Sequence, residues 1–400
     1  MDKKEKVLLF IFAISFFGLY YSKSVLSVFP YLLLLMGIFQ KGFRRKISEL
    51  VRRPAILSLS LIFFVYLLSG INSSNVEMWI GRLNTNLIYM VIPLGIYLSG
   101  PYKESFIDRV LGIFTLVNFI ISIYLLTEYF YHFEEVNSSY LKGQTIHTPI
   151  IHVRYSYFVA LSIVFSIYLF LKENIKIRKY LFGFVAIFLI VFIHIMAVRT
   201  GILSLYLSAV LIAFYYAFVY KRYMIAFSSI AALIVLIVLS YNFLPSVKNK
   251  INYVKWDIKT TLDGSAKYHT SDRIRIYSII NGLKIVKDSP LLGSGIGDIE
   301  EDMDKKYDLN YKDLPKEMRF QPVNQFVFTL SSMGILGFVL FYGLLLFPLF
   351  YLKNRHPVLP VFYILTLLTF LGETTIELMV GKTAFLVLLS LFICVDSDKS

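Results

Sequence analysis

A single cysteine, Cys394, leaves no partner for a disulfide within the chain and no thiolate metal site. Histidine is also scarce. The six are scattered, and none forms a close-spaced ligand pair with a carboxylate or cysteine on one helix, so no metal and no cofactor is expected. Acidic residues are few, 26 against 40 Lys and Arg, which leaves a formal net charge of +14. There is no internal repeat at a fixed period and no low-complexity segment. The positive charge invites a nucleic-acid partner, but the basic residues concentrate in short loops rather than on one soluble face, and no nucleic acid is expected.

What the chain has instead is apolar length. Its hydrophobic content is 57% and its mean hydropathy +0.67, too high for one soluble core. Apolar runs near the roughly twenty residues that cross a bilayer recur throughout. Twelve spans are predicted, at about 7–22, 24–40, 54–70, 85–100, 107–131, 151–171, 180–198, 200–220, 224–244, 326–352, 358–372 and 383–395. The fold class is therefore all-α, a polytopic membrane protein. The first run follows Lys3, Lys4 and Lys6 but lacks a small-x-small cleavage site, so it reads as a retained anchor rather than a signal peptide.

With the N-terminus inside, the cytoplasmic loops include 41–53 with six Lys/Arg and 172–179 with four, besides Lys221-Arg222 and 353–356. The opposite short loops hold only Lys23, Arg82, Lys142, Arg199 and Lys382. The positive-inside rule then puts both termini in the cytoplasm. One connection, 245–325, is long and falls on the other side, giving a three-part organisation: spans 1–9 over 1–244, the large loop, and spans 10–12 over 326–400. A connection of this length is usually functional. Within it, Ser271 or Asp272 can cap a helix whose apolar stripe, Ile276, Ile279, Ile280, Leu283 and Val286, suits a membrane surface. Residues 255–263 form a second short element.

Several polar groups gather at span ends on the non-cytoplasmic side. Arg199 lies at the tip of a hairpin, in Val198-Arg199-Thr200-Gly201, where Thr200 can cap the returning helix and Gly201 allows a close backbone approach. A charge beside the hydrocarbon core costs roughly 2.5–3.5 kcal/mol on insertion scales, so such an arginine faces either a polar cavity with an anionic partner or, by snorkelling, the lipid headgroups. His152 and Arg154 open the sixth span. Arg273 opens the amphipathic helix, with Tyr277 one turn later. Asn324-Gln325 marks the return of the large loop to the membrane, and Glu373 and Glu377 precede Gly381 between the last two spans. Arginine's planar fork suits phosphate, so these positions fit a lipid-linked phosphate or diphosphate. Headgroup contact remains the alternative for Arg154 and Arg273, and salt bridging to Lys382 or an arginine for the two glutamates. Gly293-Ser294-Gly295-Ile296-Gly297 has the look of a phosphate loop, but it follows a helix and Pro290 and lacks the lysine, so a tight docking turn is expected. His194 lies inside a span, where it is expected to hydrogen-bond a neighbouring helix.

Taken together these segments resemble the O-antigen ligase and polymerase family of bacterial membrane glycosyltransferases. Val198-Arg199-Thr200-Gly201 is similar to that family's serine-arginine-x-glycine span. Arg273 to Tyr277, followed by Asp288-Ser289-Pro290-Leu291-Leu292-Gly293-Ser294-Gly295, resembles its arginine, aromatic, D-x-P-L-x-G-x-G stretch. Val323-Asn324-Gln325-Phe326 with Met333-Gly334-Ile335-Leu336-Gly337 resembles its H-N-x re-entry, except that the histidine is replaced by Val323. His152 to Ser156 and Glu373 to Gly381 look like the version found in Bacteroidetes-like bacteria.

The resemblance implies a GT-C type of helical glycosyltransferase in the bacterial inner membrane. Its partners would be a polyprenyl-diphosphate-linked glycan as donor, an acceptor glycolipid such as lipid A-core, and membrane lipids. Arg199 and Arg273, assisted by Arg154, would hold the diphosphate without a metal. With Val323 in the histidine's place, Glu377 and then His152 are the candidates for the acceptor's proton, and Tyr277, Asn324, Gln325 and Glu373 complete the site. The alternatives are a polymerase of the same family, a transporter or flippase of lipid-linked glycan, and an inactive family member.

Overall fold

A computed structural model describes residues 3–262, 270–353 and 355–395. The described residues are helical, apart from an isolated bridge between Tyr102 and Val395 and the connecting turns. From the N-terminus the helices are α1 (Lys3–Tyr21), α2 (Lys23–Ile38), α3 (Phe43–Leu50), α4 (Pro54–Ser69), α5 (Val76–Asn86) and α6 (Ile88–Ser99). They continue as α7 (Glu104–Tyr131), α8 (Phe133–Tyr140), α9 (His152–Lys172), α10 (Lys176–Met196), α11 (Arg199–Tyr220) and α12 (Tyr223–Phe243). The polar connection holds α13 (Pro245–Leu262), α14 (Ser271–Asp288) and α15 (Ile299–Asn310), and the chain returns through α16 (Gln325–Tyr351), α17 (Leu359–Thr369) and α18 (Met379–Ile393).

Each of the twelve expected spans falls on a helix, but not every helix is long enough to cross alone. Among the described residues seven are apolar enough over a sufficient length, and α2 with α3, bent by 109° at their break, adds an eighth candidate. At 1.5 Å per residue, α6, α17 and α18 reach only about 16–23 Å, short of a hydrocarbon core about 30 Å thick. The count of spans crossing by themselves is therefore lower than the hydropathy pattern predicts.

The chain divides into two compact units that do not follow sequence order. One comprises residues 1–110, 272–359 and 370–400; the other comprises 111–271 and 360–369. In the first, α4 packs against α16 and α6, and α6 also packs against α2 and α18. In the second, α9 is the centre, buried along most of its length and flanked by α10 and α11, while α13 packs against α8, α10 and α12.

The glycine-rich segment docks as the sequence leads one to expect. Gly334 breaks α16 with φ 65° and ψ −174°, a conformation essentially confined to glycine. The break frees backbone groups, and residues 290–295 satisfy them: Ser294 and Gly295 N–H donate to the Ser331 and Ser332 carbonyls at 2.8 and 3.0 Å. In return, Ile335 and Leu336 N–H donate to the Pro290 and Leu291 carbonyls at 2.9 and 3.2 Å. Ile296 and Gly297 N–H donate to Ser69 Oγ and Ser73 Oγ. Four successive amides are thus committed to the protein, which leaves them no phosphate to cradle. Asp298 fastens the same junction, its carboxylate accepting from the Ser74 and Asn75 N–H groups at 2.6 and 2.7 Å, just before α5.

The amphipathic helix forms over Ser271–Asp288. Ile274, Ser278, Asn281, Gly282 and Ile285 are its buried face. Ile276, Ile280 and Leu283 remain 50%, 37% and 48% exposed, the stripe that the pattern assigns to a membrane surface. The second element is longer than expected, an 18-residue α13, and the end of the 255–263 prediction lies outside the described residues.

Candidate functional site

Three segments distant in sequence are tied together within the first unit. Arg275 on α14 donates from Nη1 to the Gly372 carbonyl at 3.0 Å, and Ser278 Oγ accepts from the Val323 N–H at 3.1 Å. Asn324 is the N-cap of α16: its Oδ1 accepts from the Phe326 and Val327 N–H groups at 3.0 and 3.1 Å, and its Nδ2 donates to the Leu371 carbonyl at 3.0 Å. Gln325 is fully buried and clamps the loop 370–378 at three points. Its N–H donates to the Phe370 carbonyl at 2.9 Å, its Oε1 accepts from the Ile376 N–H at 3.3 Å, and its Nε2 donates to Glu377 Oε1 at 2.7 Å.

Glu377 therefore sits in a built environment. Tyr66 on α4 donates its hydroxyl to the same Oε1 at 2.9 Å. Oε2 accepts no hydrogen bond among the described residues, so one oxygen is held while the other stays available. The residue is half-buried, and Glu373 is buried. Their four-residue spacing does not place them on one helix face, because 370–378 is a series of turns. Lys382, a salt-bridge candidate for them in the sequence, is fully buried on α18 and hydrogen-bonds Asn86 instead. Arg273 and Tyr277 lie one turn apart on α14, and Tyr277 stacks on Tyr311 with ring centroids 3.8 Å apart.

The second unit holds His152, Arg154 and Arg199 at the starts of two packed helices, α9 and α11. Arg154 is 4% exposed, so its side chain belongs to the protein interior rather than to the headgroups. The hairpin before Arg199 is tight: α10 ends at Met196 and Ala197 takes φ 48°. Thr200 lies inside α11, so it does not cap that helix. Gly201 serves helix packing: a Cβ there would lie 2.5 Å from Ser156 Oγ and 2.6 Å from Ser156 Cβ on α9. His194 Nδ1 lies 2.6 Å from the Ile190 carbonyl, which only accepts, so Nδ1 carries the proton and Nε2 accepts from Tyr206 on α11.

Arg199 borders a cavity of about 490 Å³ walled by α11, α12 and α13. Ile202, Leu203, Ile237, Val247, Ile251 and Val254 supply the apolar wall, and Arg199, Lys250 and Lys255 border it with the carbon stems of their side chains. Lys250 is held by the Gly143 carbonyl at 2.5 Å and lies over the Tyr253 ring. The large connection thus contributes two lysines that the sequence gave no reason to single out. Tyr66, Tyr89 and Asn86 around Glu377 and Lys382 were also without a sequence signal, being embedded in or beside apolar runs.

Residues 184–342 match a family described as O-antigen ligase. Over that stretch the chain is similar to the O-antigen ligase family. The matched stretch includes Arg199, Arg273, Tyr277, Val323, Asn324 and Gln325, whereas His152, Arg154, Glu373 and Glu377 lie outside it. The chain is also 26% identical over 312 residues to an uncharacterized protein of Haemophilus influenzae, covering 76% of this chain and 74% of that one. The match to the O-antigen ligase family over residues 184–342 supports a ligase- or polymerase-type function for a membrane protein with several apolar helices.

Proposed function

We propose that this protein transfers a glycan from a polyprenyl-diphosphate donor to a sugar hydroxyl of an acceptor glycolipid such as lipid A-core. A polymerase would differ only in taking a second lipid-linked glycan as acceptor. The observation that carries the reading is the cavity beside Arg199. Its walls are apolar, as a prenyl chain requires, and the exposed Arg199 at its border is a guanidinium placed to meet the diphosphate at the end of such a chain.

In the reaction, the acceptor hydroxyl attacks the anomeric carbon of the donor's first sugar. The bond from that carbon to the diphosphate oxygen breaks, and the electron pair leaves with polyprenyl diphosphate. Arg199 and Arg273 are assigned to the diphosphate, where a guanidinium fork stabilises the charge that grows on the leaving group. Arg154, buried at the start of the helix beside α11, assists through its charge. The proton of the attacking hydroxyl is assigned to Glu377 Oε2, the oxygen that accepts neither the Tyr66 nor the Gln325 hydrogen bond. His152 is the second candidate. Asn324 and Gln325 hold the loop that carries Glu373 and Glu377.

The protein purified in nanodiscs tests donor binding. Polyprenyl diphosphate should raise the thermal midpoint of the wild type but not of Arg199→Ala, and the uncharged prenol should raise neither. Equal stabilisation of both proteins by the diphosphate would remove the reading.

A further inference from the structure

Lys382 is a cation inside the protein that the reaction above does not use. Its ammonium hydrogen-bonds the side-chain oxygen of Asn86 and lies 3.5 Å from the Thr85 carbonyl. On the other side it faces the rings of Tyr66 and Tyr89, 5.9 and 5.4 Å from their centroids. These rings are stacked 5.7 Å apart at 26°, and Phe341 meets both edge-on. Oxygen partners and aromatic faces together allow a buried cation without a direct ion pair. Among the described residues no carboxylate is within ion-pair distance of it. The acid whose charge acts on Lys382 is Glu377, and Arg82 opposes.

Tyr66 joins the two groups, with its ring against the ammonium and its hydroxyl on Glu377 Oε1. Tyr89 fixes the next residue, donating to the Ile376 carbonyl at 3.3 Å. From these contacts we infer that Lys382 is a positioning residue for Glu377: its ammonium on the Tyr66 ring keeps the tyrosine hydroxyl aimed at the carboxylate and strengthens that hydrogen bond. A hydrogen bond donated to an acid favours its charged form, and a cation on a ring face draws electron density from the phenol and strengthens its O–H as a donor. The inference rests on the reading that Glu377 receives the acceptor's proton. The groups facing Glu377 are Tyr66 from α4, Tyr89 from α6, Gln325 and Tyr342 from α16 and Lys382 from α18. Behind Lys382 lies Arg82 from α5, itself 3.9 Å from Glu300. Lys382 is thus the cation with the most direct route to the carboxylate.

Dicyclohexylcarbodiimide modifies protonated carboxyls in apolar surroundings, and mass spectrometry reads the modification at Glu377, with Glu377→Gln as the control. In the wild type, modification should fall as pH rises through a midpoint. In Lys382→Met that midpoint should move up by at least one pH unit, a tenfold change in proton affinity. Lys382→Gln, which retains an N–H donor for Asn86, should do the same if the methionine variant does not fold. The pH profile of glycan transfer should move in the same direction. An unchanged midpoint in the lysine variants would overturn the inference. Labelling reads the pair even in a protein that transfers nothing, so failure of the transferase reading would be seen separately, as a wild type without activity.

Discussion

Arg199 and Glu377 carry the two halves of the proposed chemistry, and each has a substitution that isolates its part. Lysine at Arg199 replaces a planar fork with a point charge, so Arg199→Lys should restore little of the transfer that Arg199→Ala abolishes. Protein level should be unchanged in both, because the side chain is exposed at the cavity rim. Quantifying glycolipid-linked polymer on a gel checks this, and full transfer by the alanine variant would contradict it. Glu377→Gln should lower turnover by about 10²–10⁴, the usual size of a general-base contribution, and His152→Ala by less. Val323 is fixed at the mouth of α16 by its N–H bond to Ser278, so Val323→His should restore transfer in the Glu377→Gln background. Wild-type turnover in Glu377→Gln would remove the carboxylate from the mechanism. At this scale Arg199 was legible because a charge beside apolar runs demands an explanation. Tyr66, Tyr89 and Asn86 were not, since three residues within or beside apolar helices carry no signal until packing brings them around Glu377 and Lys382.

Elements show where pattern reading succeeds and where it stops. Hydropathy located a helix at every predicted span, because bilayer-facing and core-facing helices share one composition. It overstated crossing length where short helices such as α6 and α17 follow one another through turns. The break in α16 was not legible either, since glycine in an apolar run also serves close packing. Here a Cβ at Gly334 would lie 2.2 Å from the Leu291 carbonyl, in a backbone region confined to glycine. Gly334→Ala should therefore cost about 1–3 kcal/mol from backbone strain alone, with the steric clash in addition. A thermal midpoint equal to the wild type's would show that the docked hairpin does not hold the helix in this form. The exposed stripe of α14 makes a separate prediction. A single bromolipid-quenched tryptophan at Leu283 should report lipid contact, and an unquenched one would leave the stripe in water.

For the whole molecule, we propose from the charge bias of the short loops that both termini are cytoplasmic and that the connection holding α13 to α15 lies on the other side. Lys312→Cys should then react with a membrane-impermeant thiol reagent in cells with a permeable outer membrane. Lys267→Cys, outside the described residues, should behave alike, and labelling only after lysis would reverse the orientation. The division into two units was not legible in the sequence, because each unit is assembled from separated stretches, and a segment as short as 360–369 belongs with residues 111–271. The central claim is transfer from a lipid diphosphate, and reconstitution tests it most directly. Purified wild-type protein in proteoliposomes should convert a polyprenyl-diphosphate glycan and an acceptor glycolipid into the extended glycolipid, releasing polyprenyl diphosphate, with Arg199→Ala inactive in parallel. Wild-type protein that moves the donor across the bilayer and forms no new glycosidic bond would contradict the account.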